Sequence, residues 1–172
     1  MREFCLKMAA TLGFWLGTRF PGSTIISTSN LLPTNYSVNL YDENTPPLCS
    51  YCNQHEERLH LLLWSCSVVQ EFWQIVKNCI LIFHPQFSLN EKVAIFGHTS
   101  STGDSPINTI LSLARYFIYQ NKFTTRELVE TRFNNYMRDH LTIIFESNKV
   151  KDKEREFLSD WQDILLHFQV IN

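Results

Sequence analysis

The chain of 172 residues has no Gly-rich phosphate loop, no His-Glu-x-x-His and no Ser-His-Asp order. Those absences remove the usual motifs of phosphoryl transfer, zinc-dependent hydrolysis and nucleophilic acyl transfer. Its carboxylates fall mainly in charged loops or on outward helical positions, so the sequence predicts a non-enzymatic protein. An excess of charge is lacking too. Fifteen Lys and Arg stand against 17 Asp and Glu, for a net charge of −2 and a pI near 6.3. That balance lacks the global electrostatics of a strong, autonomous nucleic-acid binder, so any such binding is local or assisted. No apolar run reaches the about 18 residues of a membrane span, and no membrane partner is expected. The opening MREFCLKMAATLGFWLG is interrupted by Lys7 and leads to no small-x-small cleavage site. It reads as a short helix, not a signal peptide.

Five cysteines are present, and an odd number that includes a Cys-x2-Cys suits metal in a reducing intracellular compartment, nucleus or cytoplasm, better than a disulfide framework. In PLCSYCNQHEERLHLLLWSC the spacing is C-x2-C-x7-H-x5-C, over Cys49, Cys52, His60 and Cys66. Three thiolates and an imidazole form a closed tetrahedral set, which predicts structural zinc with no open position for water. Pro47 and Asn53 suit a turn around the cysteine pair, and Leu61 to Trp64 suit a helix packed onto it. His55 is a reserve ligand in a more cramped loop. The competing reading makes the cysteines small core hydrophobes in a metal-free helical domain that binds a protein partner through its helical surface.

The remaining pattern is helical. Asn35 to Tyr41 can form a short helix before the loop that delivers Cys49. Ser67 with Gln70 resembles a capping box, followed by a stripe of Val68, Phe72, Ile75, Val76, Cys79 and Phe83. Glu91 to Gly97 suits a strand or a turn of helix. Ser105-Pro106 is a helix start, with Ile107, Ile110, Leu111, Ala114, Phe117 and Ile118 inward. Thr124 with Glu127 is a second possible box, opening a helix that carries Val129, Phe133, Tyr136, Met137, His140, Leu141 and Ile144. Residues 147–156 form a solvated charged stretch. A final amphipathic helix with Phe157, Leu158, Trp161, Ile164, Leu165 and Phe168 can dock back. The expected fold is mainly α, a helical bundle with a small CCHC zinc-knuckle-like module.

Arg115, Tyr119 and Lys122 recur on the helix face opposite the apolar one, with Arg126 beyond them. Charge interleaved with an aromatic can meet phosphate and stack on an unpaired base, so this stripe is the candidate contact for RNA or DNA.

An ordered series of blocks gives the chain a family likeness. LPTN, PLCSYC, HLLLWSC, EFW, AIFGH, INTILSLARYFIYQNKF and FLSDWQDIL together resemble the C-terminal, zinc-binding end of reverse transcriptases encoded by LINE-type (non-LTR) retrotransposons. The likeness runs through residues 30–172 as one helical domain with its metal motif at 49–66, and residues 1–29 match poorly. It implies Cys49, Cys52, His60 and Cys66 as zinc ligands, and a remnant or domesticated module that holds RNA or target DNA. The polymerase's aromatic-x-Asp-Asp turn and an upstream endonuclease are both missing from the sequence. In the family the gap between the His and the last Cys is one residue shorter. On an α-helix the extra residue rotates Cys66 by about 100° relative to His60, so joint ligation requires the segment to loosen near Ser65.

Overall fold

In the computed structural model, residues 32–98, 106–124 and 127–171 are described. The N-terminal helix expected over the first residues, Cys5, the Ser105 cap and Arg126 lie outside them. The described residues are helical and contain no strand, as the periodicity predicts. The elements are α1 (Asn35–Asn39), a π-helical turn (Leu61–Ser65), α2 (Ser67–Phe83), α3 (Glu91–Phe96), α4 (Pro106–Asn121), α5 (Glu130–Val150) and α6 (Glu154–His167). None of these helices is long and apolar enough to cross a membrane.

Two capping expectations are corrected. The N-cap of α2 is Cys66, not Ser67, and the Gln70 amide reaches back to donate to the Trp64 carbonyl at 2.8 Å. Helix α5 begins at Glu130 with Val129 as its N-cap. Thr124 instead closes the end of α4, its amide donating to the Asn121 carbonyl at 3.1 Å. The open reading of residues 91–97 resolves to helix: Asn90 caps α3 by accepting from the Val93 amide, and Gly97 ends it at φ +93°. That backbone conformation favours glycine because it has no Cβ.

The core lies where α2 meets the π turn and α4. All six inward residues expected on α4 are buried. The buried face of α2 is wider than the expected stripe, since Val69, Trp73 and Ile80 join Phe72, Val76 and Cys79. Packing on two sides of α2 explains the difference, because the π turn and α4 both lie against it. The ring of Phe72 stacks on Phe117 at 5.4 Å and meets Phe133 edge-on at 5.1 Å. One aromatic thereby joins α2, α4 and α5, and such ring pairs stabilise beyond the area they bury. Residues 151–153 break the helix between α5 and α6, where Asp152 has φ +56°. Trp161, Ile164 and Leu165 then return α6 to the core.

Candidate metal centre

Residues 47–57 fold into a tight knuckle. The Cys49 amide donates to the His55 carbonyl at 2.8 Å, the Asn53 amide to Cys49 at 2.9 Å and the Glu57 amide to Pro47 at 2.7 Å. Asn53 takes φ +53°, a left-handed position that asparagine tolerates better than most residues. The turn brings Cys49 and Cys52 side by side. Cys66 arrives from the far end of the π turn, and the ligand atoms of Cys49, Cys52 and Cys66 lie within 4.8 Å of one another.

The π turn is how Cys66 reaches them. Its amide donates to the Leu61 carbonyl at 3.1 Å, five residues back, where an α-helix would bond four back. The wider loop takes up one residue locally, so the HLLLWS segment has loosened next to Ser65. Two carbonyls without helical partners are satisfied from α2: Trp73 Nε1–H donates to Leu63 at 2.7 Å, and Gln70 donates to Trp64. Leu62 and Leu63 are buried beneath the turn.

A hydrogen bond to Cys66, reinforced by burial, pushes the Cys49 thiol well above its ordinary pKa. The same contact, together with the Val69 and Val68 amides at the start of α2, holds Cys66 below its ordinary value. Cys66 therefore sits at a helix N-terminus, where a thiolate is favoured. Soft sulfur ligands select zinc and other thiophilic ions. Cys79 lies apart on α2, pushed up to about 12 by burial, and behaves as a packing residue.

His60 is outside the three-cysteine group, and so is His55. The His60 ring is half exposed, with Nε2 2.9 Å from Glu91 Oε1 and Nδ1 2.8 Å from Ser65 Oγ. Nothing in the sequence pattern marked Glu91 as a partner of His60, and Ser65 stood out only as the place where the segment must loosen.

The expected nucleic-acid stripe is corrected. Tyr119 and Lys122 are buried, and the Arg115 guanidinium, partly buried, donates to the Ala94 carbonyl at 2.9 Å and to Ser112 Oγ at 2.8 Å. Burial lowers the Arg115 pKa to about 10. Lys122 Nζ lies 2.6 Å from Glu57 Oε1, and both side chains are almost fully removed from water. Glu57 also accepts from the Ser50 amide at 2.7 Å and the Asn35 amide at 2.9 Å. Burial alone would raise its pKa, but these hydrogen bonds, from Lys122 foremost, leave it below the ordinary value. Alternation of charge and aromatic on a helix reads as a surface stripe only if that face meets water. Here the knuckle and α3 cover it. Glu57 signals its role only through its place beside the cysteine motif.

Neither a protein-family model, nor a curated protein, nor a solved structure matches this chain.

Proposed function

We propose that Cys49, Cys52 and Cys66 bind one structural zinc ion, with His60 closing the tetrahedron, and that the ion clips the knuckle onto a non-catalytic helical module. The observation that carries this reading is the convergence of the three sulfurs from two separate elements. Core burial accounts for Cys49 and Cys66 singly, but not for three ligand atoms from two elements lying within 4.8 Å of one another. The donor set is that of structural zinc, and the ion would replace the thiol protons. On the ordered motif series we further propose that the module derives from the C-terminal end of a LINE-type reverse transcriptase. RNA or DNA holding is then its activity, through a surface other than the Arg115–Lys122 face.

Native mass spectrometry under reducing conditions tests the metal directly. One zinc per chain is expected, lost in Cys52→Ser and weakened or lost in His60→Ala. A parent protein that takes up no zinc overturns the proposal and leaves the metal-free protein-interaction domain as the better reading.

A further inference from the structure

We propose that Cys49, Cys52 and Cys66 are also a site for monovalent copper, held by their three sulfurs alone, with no part played by His60. The inference rests on the thiol convergence that the zinc reading uses, but on neither zinc nor its fourth ligand. Soft thiolates favour zinc, iron–sulfur clusters and monovalent copper, and the number of donors separates these. Structural zinc takes four protein ligands, and iron–sulfur clusters are held by four cysteines. Monovalent copper, soft and of low charge, is satisfied by three thiolates. Three is the number of sulfurs that the fold brings together.

The sulfurs are already in mutual contact. Cys66 shares side-chain hydrogen bonds with both Cys49 and Cys52, and all three ligand atoms lie within 4.8 Å of one another. His60 is engaged elsewhere, its Nε2 2.9 Å from Glu91 Oε1 and its Nδ1 2.8 Å from Ser65 Oγ. To ligate zinc, the ring has to give up one of these contacts. Copper asks for no such exchange. Three thiolates around a monovalent ion keep one more negative charge than they do around zinc, and backbone amides meet that excess. Those of Val68 and Val69, at the start of α2, bond to Cys66, and those of Tyr51 and Cys52 bond to Cys49. Hydrogen bonds to an ionised acceptor are the strong ones. Cys49 and Cys66 are almost fully removed from water, while Cys52 is half-buried. An ion therefore enters beside Cys52 and is shielded by the other two.

Anaerobic titration of the reduced protein with copper(I), against a chromophoric copper(I) chelator, reads the affinity, and copper K-edge X-ray absorption on the parent reads the donors. The parent should take one copper ion per chain, with a shell of three sulfurs and no nitrogen. His60→Ala should hold copper with unchanged affinity although its zinc is weakened or lost. Cys5→Ser combined with Cys79→Ala, which removes the two cysteines outside the group, should hold it equally well. Cys52→Ser should lose it while keeping its helical circular dichroism. A nitrogen in the copper shell, or weaker copper binding in His60→Ala, overturns the inference, because His60 then belongs to the copper site. Retained binding in Cys52→Ser also overturns it, as does loss in a folded Cys5→Ser, Cys79→Ala protein, since either puts the copper on other thiols. A parent that binds zinc but no copper overturns the inference and leaves the zinc reading intact. Copper binding without zinc binding does the reverse.

Discussion

The knuckle and the α5–α6 hairpin are held together by different forces. In the hairpin, Met137, Leu141 and Phe145 of α5 and Trp161, Ile164 and Leu165 of α6 are buried and the two helices pack together, with Phe145 beside Phe157 across the seam at 6.3 Å. Apolar area supplies its stability, at about 25 cal/mol per Å² removed from water. The knuckle has little such area, and four consecutive residues, Asn53 to Glu56, lie exposed at its tip. Directional contacts replace area there: three thiols, a buried Glu57–Lys122 pair and a few backbone bonds. A segment that cannot bury enough surface needs a metal or a polar network to hold one conformation.

Chelation should expose this contrast most strongly, since structural zinc contributes on the order of 10 kcal/mol of coupled folding energy. With excess chelator, amide hydrogen exchange across residues 47–66 should accelerate by several orders of magnitude while the α5 and α6 amides keep their protection. Simultaneous loss in both regions would show a single cooperative unit and abolish the distinction.

The buried ion pair comes next in size. Lys122→Met leaves the Glu57 carboxylate without its cation and should cost about 3–5 kcal/mol in urea unfolding. Adding Glu57→Leu should restore much of that loss, because paired removal deletes both desolvation penalties. If the double variant is no more stable than Lys122→Met, the amides of Ser50 and Asn35 depend on Glu57 more than Lys122 does.

The same contrast explains what could be read from the sequence. Area-driven elements announce themselves through periodicity: the inward residues of α4 and the core positions Phe133, Met137 and Leu141 of α5 are where their spacing puts them. Spacing also singled out Cys49, Cys52, His60 and Cys66, of which the three thiols come together while His60 lies outside their group. Directional contacts carry no such period. Glu91 meets His60 across 31 positions, and Lys122 meets Glu57 across 65. Such pairs are set by how elements dock, which a local pattern does not encode. For that reason the Arg115–Tyr119–Lys122 face read as free when it was covered. The ends of α2 and α5 also moved, because Cys66 and Val129, rather than the nearby Ser and Thr, took the cap positions.

The smallest effect separates two hydrogen bonds of the same chemical kind. Gln70 Nε2 donates to the Trp64 carbonyl and Asn148 Nδ2 to the Ile144 carbonyl, at 2.8 and 2.9 Å. The Ile144 carbonyl lies inside α5, where the helical ladder already offers it an amide. Trp64 belongs to the last part of the π turn, just before the chain turns extended at Cys66, and it depends on the side chain. Gln70→Ala should therefore cost about 1 kcal/mol, read as a lower urea midpoint at constant slope. Asn148→Ala should be close to neutral, with the better helix propensity of alanine offsetting the lost bond. Equal costs at the two positions would mean that the π turn finds another donor for Trp64, and that the end of the turn is less dependent on directional contacts than its geometry implies.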